Sequence, residues 1–269
     1  MVKPATLVSL VCLAAFAAMS IGCGGSSSSG QGSCTGGPYN VVGDWTLNVT
    51  GAGVSTSGPG VIGSSGEAVF FQTTTSQPAP GDTVAMPSIT GTCAFSGTAT
   101  AYGTSASGGG SSSDTVQGNV NSATSITGSI ANGNNFSIVP NAPLSGAVSA
   151  LSGSEIGSIG GWVGPGNLWQ LTFVPTGSNA SMSFSGADVD GCEVSGTFSQ
   201  EGGNVSALNV FDVSITYSGM NCPVAGTVMG LGFESSSDYF GVAGGAQGTY
   251  LYAVPTTSAT VFEIFPASQ

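Results

Sequence analysis

Positive charge is almost missing from this sequence. Lys3 is the only basic side chain in 269 residues and histidine is absent, whereas thirteen Asp and Glu are scattered from Asp44 to Glu263, giving a formal net charge of −12. Nucleic-acid binders displace counterions from phosphates with Lys and Arg, so nucleic acid is excluded as a partner. Phosphate clamps fall for the same reason, as does every catalytic arrangement built on imidazole or amine. Side-chain salt bridges cannot form beyond Lys3. Apolar burial, ladder hydrogen bonds and disulfides must then supply the stability.

Helical periodicity is missing too. No window from residue 38 onward carries the i, i+3, i+4 apolar stripe, and alternation with period two runs throughout. Gly58-Pro59-Gly60-Val61-Ile62-Gly63 fits G-x-G-x-x-G in letters, but no helix signal follows, so it reads as a glycine-rich loop and no cofactor is expected.

What is present begins with a leader. Lys3 precedes an apolar run from Ala5 to Ile21, too short to span a bilayer comfortably and closed by small residues, which is the pattern of an export signal over 1–22. Ser20-Ile21-Gly22-Cys23 looks like a bacterial lipobox, in which cleavage leaves Cys23 to carry lipid; cleavage after Ala17 is the alternative. Residues 23–37 follow as a tether rich in Gly and Ser. A lipid anchor would make the membrane a partner and place the chain at the outer membrane or cell surface. Without it the chain would be periplasmic or secreted.

The mature chain reads as all-β, in two small antiparallel β-domains spanning 38–150 and 166–269, with 151–165 as a linker where Gly and Ser thicken. Two half-repeats support the division: "GDWTLNVTG" at 43–51 answers "GNLWQLTFVPTG" at 166–177. In the second half about eight segments alternate between short turns, the count of an up-and-down barrel, with a β-sandwich as the alternative. The first half offers six segments, with Asn132-Gly133 as a hairpin turn. "SASGGGSSSD" at 105–114 reads as a low-complexity loop.

Three strands begin alike: "TCAFSGTA" at 92, "GCEVSGTF" at 191 and "NCPVAGTV" at 221. In the second, Cys192, Val194, Gly196 and Phe198 share one face. The glycine leaves room there for a neighbouring strand or ring. Cys34, Cys93, Cys192 and Cys222 then read as two disulfides with three connectivities open, sequence proximity favouring Cys192 with Cys222 and Cys34 with Cys93. In a simple meander the strands beginning at 192 and 222 flank a third, about 10 Å apart, so that bridge must close over a strand end near Ser218-Gly219-Met220.

The segment from Gly191 to Phe265, with "GCEVSGTF", "NVFDVSITYSGMNCPVAGTVMG" and an aromatic hairpin, resembles the C-terminal β-domain of uncharacterised bacterial envelope lipoproteins that carry paired C-x-x-x-G strands. The resemblance implies a GC leader and a Gly and Ser tether, and it implies no activity or catalytic residues.

Candidate sites are few. Asp188, Asp190 and Glu193 cluster as the start of a Ca²⁺ loop would, although an Asp-Gly turn explains the same residues. Trp162, Trp169, Tyr250 and Tyr252 could form an aromatic platform for a glycan or a small apolar ligand. The leading expectation is a lipid-anchored envelope β-protein with a structural or binding role and no catalysis. A second is a carrier with a lipocalin-like pocket in the C-terminal barrel. A third is a carboxylate-only glycoside hydrolase using two of Asp188, Asp190, Glu193 and Asp212.

Overall fold

The computed structural model describes residues 37–51, 53–74, 80–86, 88–103, 110–141, 154–160, 168–176, 181–201, 209–222, 224–235, 250–256 and 261–266. The expected leader, Cys23, Cys34 and Trp162 lie outside the described residues. All the regular structure described is β-strand.

Eight strands close the first barrel: β1 (Gly43–Gly51), β2 (Val54–Ile62), β3 (Ala68–Thr74), β4 (Pro80–Met86), β5 (Ala94–Gly103), β6 (Gly110–Ser122), β7 (Ser125–Ile130) and β8 (Asn135–Pro140). Eight more close the second: β9 (Ser154–Gly160), β10 (Leu168–Pro175), β11 (Ser181–Ala187), β12 (Cys192–Gln200), β13 (Phe211–Gly219), β14 (Gly226–Ser235), β15 (Tyr250–Pro255) and β16 (Val261–Pro266). Every pairing is antiparallel between chain neighbours, apart from the closures β1 with β8 and β16 with β9. The C-terminal half is therefore a barrel of eight strands, not a sandwich.

Alternation fixes which face is which. In β1, Trp45, Leu47 and Val49 point inward while Thr46 and Asn48 do not; in β13, Phe211, Val213, Ile215 and Tyr217 point inward and Asp212 is exposed. Most outward positions carry hydroxyls. Thr172, Ser185, Ser195, Thr216 and Thr227 are successive register partners across five strands, with the last two bonded hydroxyl to hydroxyl at 2.8 Å. With apolar groups inside and hydroxyls outside, the arrangement is the reverse of a membrane-spanning barrel.

Glycine and phenylalanine pair repeatedly on the inner faces. Gly60 stands opposite Phe70, Gly118 opposite Phe95, Gly128 opposite Phe136 and Gly196 opposite Phe184. A β-carbon on Gly196 would lie 2.6 Å from the Phe184 ring and 2.4 Å from the Ser214 carbonyl oxygen. The ring lies over the bare backbone of its partner, which lets a narrow barrel take a bulky side chain without a void. The place of Gly196 in the repeated sequence pattern is thereby explained.

Several sequence expectations are corrected. Residues 154–160, inside the expected linker, form β9 and pair with both β10 and β16. The stretch 58–63, expected as a loop, lies mostly in β2, and the expected loop at 105–114 contributes residues 110–114 to β6. Gly and Ser suppress the period-two signal in all three places, and cross-strand pairing overrides the local preference. The Asn132-Gly133 turn does join β7 to β8, with Gly133 at φ 91° and its N–H donating to the Ile130 carbonyl. An expected strand near 236–243 lies outside the described residues.

The barrels share a third core. Val61, Val69 and Phe71 from the outer faces of β2 and β3 pack with Val210 and with Leu231, Phe233, Tyr252 and Val254 from the outer faces of β14 and β15. Phe71 meets Phe233 and Tyr252 at ring-centroid distances of 5.4 Å each. These outward positions are apolar because another barrel, rather than water, covers them.

Candidate functional site

The β11–β12 hairpin turn holds the residues expected to bind Ca²⁺. Asp188 Oδ1 accepts from the backbone N–H groups of Asp190 at 2.9 Å and Cys192 at 2.8 Å, and Gly191 takes φ 87°. The carboxylate therefore caps a turn, and Asp190 and Glu193 are exposed beside it. Among the described residues no three His, Cys, Asp or Glu side chains converge as a metal site needs. Asp212 belongs elsewhere. It pairs in register with Ser199, six residues along β12 from Glu193, which puts the two acids about 20 Å apart at the usual rise per residue. Glycosidase carboxylates stand less than about 10 Å apart.

The same turn carries the disulfide. Cys192 and Cys222 are bonded with Cα atoms 4.9 Å apart, although β13 runs between β12, which Cys192 opens, and β14, which follows Cys222. Cys222 lies in the β13–β14 connection, which folds back across the end of β13 through Gly219 at φ 95° and Asn221 at φ 62°. Asn221 Nδ2 donates to the Asp190 carbonyl at 3.1 Å, tying the two turns together. The bridge thus closes over the strand end beside Ser218-Gly219-Met220. Cys93 stands just before β5, where a β-carbon on Gly37 would lie 3.8 Å from its sulfur and the Tyr39 N–H donates to the Gly91 carbonyl at 2.9 Å.

Of the four aromatic residues expected as a platform, the two whose side chains are described, Trp169 and Tyr252, are buried in different cores. Trp169 points into the second barrel, its indole N–H donating to the Cys192 carbonyl at 3.1 Å, and Tyr252 is enclosed in the core between barrels. Tyr250 is in β15, with its side chain outside the described residues, as is Trp162. Trp45 and Trp169, the tryptophans of the half-repeats, are both interior residues, which explains why the motif recurs without marking a ligand.

Sequence reasoning missed the acids at the junction. Asn209 Nδ2 donates to Asp44 Oδ1 at 3.1 Å and to the Glu234 carbonyl at 2.8 Å, while its Oδ1 accepts from the Glu234 N–H at 2.7 Å. One amide thereby links β1 of the first barrel to β14 of the second. Close by, the Glu201 carboxylate accepts from the Ser64 N–H. Burial lifts the Asp44 carboxyl to about 7 against the bond from Asn209, with the charge of Glu234 adding to the rise. Burial likewise raises Glu234 to about 7, and its Oε1 is enclosed without a hydrogen-bond partner. Glu201 is also raised, by burial first and then by the neighbouring Asp212. Among the described residues there is no Lys, Arg or His to neutralise these groups, so their burial favours the protonated form. Asp44, Glu201 and Glu234 look like ordinary solvated acids in the sequence, and only tertiary contact reveals them.

No family model matches this chain, and no curated protein or solved structure does.

Proposed function

We propose that this protein is a lipid-anchored, extracytoplasmic scaffold of the bacterial cell envelope that serves a structural or binding role and carries no catalytic centre. The observation that carries this reading is the buried junction, where the cluster around Phe71, Phe233 and Tyr252 and the bridge from Asp44 through Asn209 to Glu234 make one body of two barrels. A firm tandem body with a hydroxyl-clad exterior suits a spacer or presenting surface. Its outward faces carry mostly hydroxyls with only scattered exposed apolar residues such as Val139, Val174 and Met229, so attachment calls for a separate device such as a lipid on Cys23. The Cys192–Cys222 disulfide fits an oxidising compartment, and pairing of Cys34 with Cys93 would fasten the incoming tether to the first barrel.

Mass spectrometry of the mature amino terminus, with non-reduced peptide mapping, tests the reading. Diacylglyceryl on Cys23 and a Cys34–Cys93 peptide are the expected results. A mature terminus at Ala18 would overturn the anchor, and a Cys93 recovered as a thiol would overturn the fastening.

A further inference from the structure

The open end of the first barrel contains a cavity of about 220 Å³. Its wall is apolar: Leu47, Val49, Val84, Met86 and Ala99 are buried core residues. Thr56 interrupts it. This residue sits on the inner face of β2 opposite Val49, and its hydroxyl oxygen is enclosed without a partner. Elsewhere inside the barrels hydroxyls are rare, and a buried polar atom without a partner costs about 1–3 kcal/mol.

The rim is a chain of acceptors and amides. Asp114 accepts from Asn132 Nδ2 at 3.1 Å, and Asn132 Oδ1 accepts from the Asn134 N–H at 3.1 Å. Gly51 keeps this edge open to the amide, since a β-carbon there would lie 1.8 Å from Asn134 Oδ1. A carboxylate at the mouth of an apolar hollow, in a chain whose net charge is −12, favours a cation and repels an anion. An ammonium also brings three donors, which suit the carboxylate and amide oxygens of the rim.

From this geometry we infer that the open end of the first barrel binds a small primary amine with an apolar body, the hydrocarbon lying against Leu47, Val49 and Val84 and the ammonium directed to Asp114 at the rim. This reading goes beyond the anchored scaffold and stands or falls separately from it, since binding at the mouth requires no lipid on Cys23.

Titration of the full mature chain with hexylamine, hexanol and hexanoate, followed through the methyl resonances of Val49 and Val84 and by calorimetry, provides the test. Hexylamine is expected to bind, hexanol to bind at least tenfold more weakly, and hexanoate to leave the methyl signals unmoved. Asp114→Asn should bring hexylamine down to the level of hexanol while leaving hexanol unchanged. Ala101→Leu, which places a branched side chain in the hollow, should weaken both at least tenfold, with its melting temperature confirming that the barrel has folded. Equal binding of hexylamine and hexanoate, an Asp114→Asn variant that still prefers the amine, or silence of both methyls towards all three probes would each overturn the assignment.

Discussion

The two barrels have the same strand number and the same meander, yet they fill differently. Inside the second, Trp169, Phe173, Phe184, Phe198 and Phe211 stack from one end to the other, with Phe184 and Phe198 5.4 Å apart and Phe198 and Phe211 6.5 Å apart. The first keeps its rings, Trp45, Phe70, Phe95 and Phe136, away from the hollow, whose wall takes Val84, Ala99 and Ala101. Strand number sets a barrel's diameter, and side-chain volume decides what remains inside it. The difference teaches that one backbone plan yields a solid post or a cup according to a few inward residues. The disulfide clamps the solid barrel, while the cup is left open at its rim.

Cutting away a ring should break the comparison most visibly. Phe198→Ala, in the filled barrel, is expected to cost about 4 kcal/mol, read as a fall in melting temperature or denaturation midpoint. Replacing Cys192 and Cys222 together by Ser should cost about 3 kcal/mol for a closed loop of this length, measurable by the same unfolding curves.

Next comes acidity. Asp44 and Glu234 hold protons more tightly folded than unfolded, so between roughly pH 4 and pH 7 the native state binds more protons and stability falls as pH rises. The loss is complete above about pH 7, and each tenfold difference in proton affinity between the folded and unfolded chain contributes at most about 1.4 kcal/mol to it. Asp44→Asn keeps the bond from Asn209 and should flatten this slope, as seen in urea titrations at pH 4.5 and pH 8. If the slope survives undiminished, Asp44 is not one of its sources.

Smaller effects sharpen the contrast. Gly196→Ala pushes a methyl into the Phe184 ring and the Ser214 carbonyl and is expected to cost about 1–3 kcal/mol. Ala101→Leu adds more atoms but faces the hollow, so it should change stability by less than about 1 kcal/mol. Similar losses from the two substitutions would show that the cup is as full as the post.

Much of this fold was legible. Cys192, Val194, Gly196 and Phe198 share a face because strand side chains alternate, and Cys192 could be matched with Cys222 over a strand end. The places that escaped have a common cause. Residues 154–160 and 110–114 offer Gly and Ser where a strand normally advertises itself with branched or aromatic residues, so pairing with distant partners is their only signal. The junction was hidden for another reason. In Val69, Phe70 and Phe71 the sequence displays three apolar residues in a row, which states that both faces are covered but not by what. Asp44 and Glu234 are 190 residues apart, and nothing local announces that Asn209 will join them.

Closure also governs the order of assembly. The seam of the second barrel joins residues 154–160 to residues 261–266, and that of the first joins 45–50 to 135–140. A chain delivered from its amino end can seal the first cylinder with half of itself still to come, but the second stays unsealed until its final segment emerges. Loss of residues 261–266 would strand two backbone rims at once, those of β9 and β15, in a polypeptide nearly devoid of the lysines that usually discourage such rims from sticking together.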